Sequence, residues 1–71
     1  MGFSAIADRV REIREGKGLS QRKLSDLLKK GPTYVQQLEG RGHPMGSEVA
    51  VRMAKVLGVR LEWLLTGEGE P

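Results

Sequence analysis

The sequence has no cysteine, a single histidine and only three aromatic residues, Phe3, Tyr34 and Trp63, in 71 positions. Each shortage removes a class of protein. Without cysteine no disulfide framework can staple a small fold, and His43 alone cannot build a structural zinc site, which takes about four nitrogen or sulfur ligands. No metal or other cofactor is expected. No constellation of His, Cys and carboxylates suits nucleophilic or metal chemistry, so the chain does not read as an enzyme. With so few aromatics, and Phe3 and Trp63 poorly placed for stacking, single-stranded or structured RNA is a poor ligand class. Long apolar runs are missing as well, far short of the ~20 residues that cross a bilayer. The N-terminus has neither a charged n-region nor an apolar h-region, and Ile6 stands where a myristoylation signal wants Ser or Thr. A soluble cytoplasmic chain is expected.

What the sequence does have is positive charge, unevenly placed. Twelve basic and nine acidic residues leave +3. From Lys17 to His43 six basic residues face two acidic ones, a local net of +4, whereas residues 1–16 balance at three and three and residues 44–71 carry three basic against four acidic. The whole excess sits on one stretch, as on a surface that meets a polyanion. A chain this short makes one domain with a marginal core, so economical helix packing must hold it.

Apolar spacing predicts helices throughout and no alternating strand pattern, hence an all-α fold. Ile6, Val10 and Ile13 form one stripe of a first helix, residues 4–15, with Ser4 as N-cap and Gly16-Lys17-Gly18 as stop. Ser20 caps a second helix, its hydroxyl accepting from first-turn amides. Leu24 and Leu28 face inward there, and Ser25 beside them is small enough to let another helix approach. Lys29-Lys30-Gly31-Pro32 breaks the chain. Pro32 fits the first position of a third helix, residues 32–38, whose buried stripe is Val35 and Leu38 and which Gly40-Arg41-Gly42 ends. Ser47 caps a fourth helix that runs to Leu57 and stops at Gly58. A fifth, short helix spans residues 61–65. The domain is expected over residues 1–66, and residues 67–71, with two Gly-Glu pairs, form a disordered tail or the start of a linker.

The centre of this layout is residues 20–39, two short helices joined by a tight turn. The third helix is expected to present Thr33, Tyr34, Gln36 and Gln37, side chains that can hydrogen-bond base edges or phosphates, with Lys17, Arg22, Lys23, Lys29 and Lys30 nearby in sequence. That pattern predicts a helix-turn-helix with its second helix in the DNA major groove.

The run Lys17-Gly18-Leu19-Ser20-Gln21, this motif and the closing Leu57-Gly58-Val59 and Leu61-Glu62-Trp63-Leu64-Leu65-Thr66-Gly67 resemble the five-helix DNA-binding domain of lambdoid phage repressors and Cro proteins, the XRE family. The resemblance covers residues 6–67 and aligns through the motif without a gap. It implies a compact five-helix bundle and a sequence-specific transcriptional regulator, a repressor of phage or prophage type in a bacterial cytoplasm, at the nucleoid. By the same resemblance Thr33, Tyr34 and Gln37 contact bases, and Gln21 and Arg41 contact the DNA backbone; Arg22, Lys23, Lys29 and Lys30 by their charge, and Gln36 by its hydrogen-bonding side chain, are expected at the backbone as well. Arg14 and Glu39 match a buried arginine–carboxylate pair. The partner implied is a pseudo-palindromic operator in double-stranded DNA, bound by a weak homodimer through Leu61, Leu64 and Leu65.

Three positions of the turn depart from the family pattern. Lys29 stands where glycine is usual, Lys30 where an aliphatic is, and Gly31 where a capping hydroxyl is. A left-handed Lys29 costs on the order of 1 kcal/mol, so a rearranged turn or a shifted third helix is expected. Pro32 occupies a position that reads bases in several relatives. The competing expectation is an antitoxin or anti-regulator module whose helices bind a protein.

Overall fold

In the computed structural model, which describes residues 3–41 and 45–71, the chain winds into α1 (Phe3–Gly16), α2 (Gln21–Leu27), α3 (Tyr34–Arg41), α4 (Ser47–Leu57) and α5 (Leu61–Thr66). The all-α expectation holds among these residues. Helix α1 packs on α3 and α5, α2 packs on α3, and α4 packs on α5. One apolar cluster lies between them: Val10, Leu24, Leu28, Val35, Leu38, Met53, Ala54, Leu57 and Leu64. Its contributors come from all five helices, and α2 and α5, with seven and six residues, are too short to persist without that packing.

Three helices end in the same hydrogen-bonded turn. After α1, Leu19 N donates to the Arg14 carbonyl and Gly18 N to that of Glu15; after α4, Val59 N donates to Ala54 and Gly58 N to Lys55. After α2, Lys30 N donates to Ser25 and Lys29 N to Asp26. This is the Schellman arrangement, which needs one left-handed residue. Gly18 and Gly58 supply it at φ 70°, and Lys29 supplies it at φ 61°. The turn is therefore not rearranged. It keeps the geometry that a glycine would take and carries the strain on a lysine.

Helix boundaries differ from the expected ones in four places. Ser4 lies inside α1 and is not its cap. Pro32 is not the first residue of α3: Tyr34 N donates to the Gly31 carbonyl at 3.1 Å, closing a turn through Pro32, and the first helical bond runs from Gln37 N to the Thr33 carbonyl at 3.0 Å. The fixed φ of Pro32 serves that turn. Nor does Gly40 stop α3, because it is not among the left-handed residues and the helix continues to Arg41. At α4 the cap is Gly46, extended at φ −69° and ψ 161°, whose carbonyl accepts from Ala50 N; Ser47 is already helical.

Leu64 corrects the expected dimer surface. It is fully buried in the core, whereas Leu61 and Leu65 are 37% and 43% exposed. The three do not form one face, because α5 turns Leu64 inward against the other helices. Residues 67–71 take no regular secondary structure, and Pro71 borders a shallow depression with Ile13, Leu57 and Val59.

Candidate nucleic-acid interface

Thr33, Gln36, Gln37 and Gly40 recur at the three-then-four spacing that puts them on one side of α3, and together they line an open groove on the protein surface. All four are exposed, while Val35, Leu38 and Glu39 on the other side are buried. The exposed face thus offers a hydroxyl, two carboxamides and, at Gly40, bare backbone. Gln37 Nε2 donates to Thr33 Oγ1 at 3.4 Å, a long bond that leaves its carbonyl oxygen and second amide hydrogen available. Gln36 stands on this same groove. Tyr34 is half-buried, with Lys30 Nζ 5.7 Å from its ring centroid, and burial pushes its phenol up from the ordinary value. Arg22 and Lys23 are exposed on α2, and Lys29 and Lys30 are exposed in the turn. Arg41 ends α3, but its side chain lies outside the described residues, as does His43.

Two devices fix α3 against its neighbours. The first is Ser25, fully buried, whose hydroxyl donates to the Gln21 carbonyl at 2.8 Å and accepts from Val35 N at 3.0 Å. Val35 N is one of the first-turn amides that have no partner within their own helix. A side chain of α2 thereby caps α3. Arg52 of α4 adds to this by donating to the Leu28 carbonyl at 2.9 Å, at the C-terminal end of α2.

The second device is centred on Glu39. Arg14 Nε donates to Oε2 at 2.7 Å and Nη2 to Oε1 at 3.0 Å, a two-bond fork, and Arg14 Nη1 donates to the Leu19 carbonyl at 2.7 Å. Gln21 Nε2 donates to the same Oε1 at 3.0 Å, and Arg11 Nε lies 3.5 Å from it. One carboxylate of α3 thus ties together α1, the α1–α2 connection and α2. Burial alone would push Glu39 up, but hydrogen bonds from Arg14 and Gln21, the Arg14 charge and Arg11 hold it below its ordinary value. The Glu39 hydrogen bond raises Arg14 against the opposing effect of burial. Both groups stay ionised at neutral pH.

The family match is extensive. Residues 7–70 fit the family described as Helix-turn-helix domain. The chain belongs to that family. This helix-turn-helix domain is 34% identical over 69 residues to Repressor protein CI of Enterobacteria phage phi80, covering 97% of the chain and 29% of the repressor. It is likewise 34% identical over 59 residues to the HTH-type transcriptional regulator RamB of Mycobacterium tuberculosis strain H37Rv, covering 83% of the chain and 12% of that protein. The helix-turn-helix domain therefore spans less than a third of either relative's length.

Within the domain the expected Arg14–Glu39 pair is present and inside. Gln21, expected at the DNA backbone, spends one amide hydrogen on Glu39. Thr33, Gln36 and Gln37 come together; Arg22 and Lys23 are on a different helix. Gly40, expected only as a helix stop, lines the groove. Arg11 was not singled out by the sequence, although its place three residues before Arg14 puts both on one side of α1.

Proposed function

We propose that this domain binds double-stranded DNA in a sequence-specific way and regulates transcription, with α3 in the major groove. The observation that carries this is the groove of Thr33, Gln36, Gln37 and Gly40, uncharged at its centre, with exposed cations on α2 and in the turn beside it. Hydroxyls and carboxamides can hydrogen-bond base edges, and lysines and arginines can neutralise phosphates. An α-helix with its side chains is about 10–12 Å across, which matches a major groove about 12 Å wide.

Thr33 and Gln37 contact base edges, and Tyr34 reaches a base or phosphate. A glutamine that can both accept and donate suits the N6 and N7 edge of adenine, worth roughly 1–3 kcal/mol of discrimination. Gln21, Arg22, Lys23, Lys29, Lys30, Gln36 and Arg41 meet the backbone. Leu61 and Leu65, one turn apart and exposed on α5, are where a second copy docks. Two copies related by a two-fold axis then read half-sites about one helical turn apart, a pseudo-palindrome. The similarity to a phage CI repressor supports a repressor acting at the nucleoid in the bacterial cytoplasm. Among the described residues no helix is long and apolar enough to cross a membrane.

The deciding experiment is selection from a random duplex pool at moderate salt, followed by sequencing. A consensus of two inverted half-sites is expected. Recovery of no consensus would end the claim of base readout and direct attention to a protein partner for α3.

A further inference from the structure

Two arginines meet the Glu39 carboxylate, and they are not equivalent. Arg14 is buried, forks both carboxylate oxygens and gives its remaining nitrogen to the Leu19 carbonyl. Its charge balances that of Glu39, and the exposed Glu15 carboxylate also lies 3.7 Å from its Nη2. Arg11 is 47% exposed along its side chain and lies 3.5 Å from Glu39 Oε1 through Nε. Asp8 and Glu15 stand on the same helix at spacings from which they could hold Arg11, yet its ion pair among the described residues is with Glu39. The charge of Arg11 is thus surplus to the buried pair, on a side chain that is half-exposed where α1 meets α3.

Position gives that surplus a use. A helix seated in the major groove has a phosphate strand along each flank, since helix and groove are of similar width. The exposed face of α3 carries Gln36 and Gly40, and Glu39 lies between them in sequence, turned toward α1. Arg11, anchored to Glu39, therefore stands on the α1 flank of the reading face. We infer that Arg11 is a phosphate-binding residue of this domain, with Nε held by Glu39 and both terminal nitrogens presented to one backbone phosphate. The inference rests on α3 occupying the groove. Guanidinium geometry suits it, because the fork can grip two oxygens of a phosphate while the third nitrogen stays on the carboxylate.

The test compares the wild-type protein with Arg11→Ala and Arg11→Lys on a duplex of random sequence, measuring affinity by fluorescence anisotropy across a range of salt concentrations. Arg11→Ala should weaken binding to every sequence and flatten the slope of log affinity against log salt by about 0.9, the value of one phosphate contact. Arg11→Lys should keep the wild-type slope. A loss of folded protein rescales apparent affinity at all salts without changing that slope, so a purely structural role is separated from a phosphate contact. A wild-type slope in Arg11→Ala would overturn the inference and leave DNA binding intact. Flattening in both variants would also overturn it, since it would trace the effect to a displaced Glu39. Absence of wild-type binding at every salt would remove the major-groove assignment and the inference with it.

Discussion

Ser25 and Val35 are joined across the turn by a hydroxyl that accepts the valine amide at 3.0 Å inside the core. The same oxygen donates to the Gln21 carbonyl. It is thus the pivot that sets α3 at a fixed angle to α2. Ser25→Ala would leave the Val35 amide buried and unpaired, at a cost of about 1–3 kcal/mol. Thermal melts should show a drop of several degrees. An unchanged melting temperature would mean that water reaches Val35 N.

Removing either partner of the buried ion pair should cost more. Arg14→Ala strands a carboxylate whose side chain is 1% exposed, and loss of one partner of such a pair destabilises by roughly 3 kcal/mol or more. For a domain of this size that corresponds to a fall in melting temperature on the order of 12 °C or more. A change of only a degree or two would show that the pair contributes little.

The same pair dictates an acid response. Glu39 is held below its unfolded-state value, so its ionisation stabilises the fold fully above the ordinary glutamate range. That contribution is lost as pH falls through the lowered folded-state value. Glu39→Gln should therefore be less stable than wild type at neutral pH, with the gap narrowing below about pH 4, where glutamate normally protonates. Chemical denaturation at a series of pH values checks this. A gap that stays constant into acid would count against an ionised Glu39.

Lys29 offers the reverse case, a substitution that should stabilise. It holds the left-handed conformation that Gly18 and Gly58 hold in the equivalent turns. Lys29→Gly should relieve about 1 kcal/mol of strain, partly offset by the greater freedom of glycine in the unfolded chain. A rise in melting temperature of a few degrees is expected, together with a weaker dependence of DNA affinity on salt. A lower melting temperature would show that the lysine stem packs favourably enough to outweigh its backbone strain.

Base readout has its own signature. Gln37→Ala should lower affinity for the selected duplex by roughly 1–3 kcal/mol while leaving binding to random duplex nearly intact. Competition titrations with the two duplexes measure this. Equal losses on both would make Gln37 a backbone contact.

The helices were legible because their apolar residues recur at helical spacing around recognisable stops. The Lys29 turn was legible as a departure from pattern, and its geometry followed from the hydrogen bonds that close α2. Boundaries were harder to read. Pro32 suits a helix start and a turn equally, and only the Tyr34–Gly31 bond decides between them. Leu64 misled because a six-residue helix with apolar residues at 61, 63, 64 and 65 shows only a narrow polar side, Glu62 and Thr66; the inward face is set by contacts with distant helices. Arg11 and Gly40 escaped notice because their placement depends on where α1 and α3 meet, which no local pattern encodes. Neither the resemblance nor the spacing could say that Gln21 divides itself between Glu39 and the outside.

Arg9 of α1 donates to the Leu64 carbonyl at 2.9 Å and lies 6.0 Å from the Trp63 ring centroid, while Val10 and Leu64 share one apolar cluster. The first helix of the domain therefore depends on its fifth for cover. Loss of α5 would uncover part of the inner stripe of α1, while the Glu39 carboxylate that Arg14 neutralises would still hold α1 to α3. α1 and α5 are thus expected to lose their structure together, as one cooperative unit.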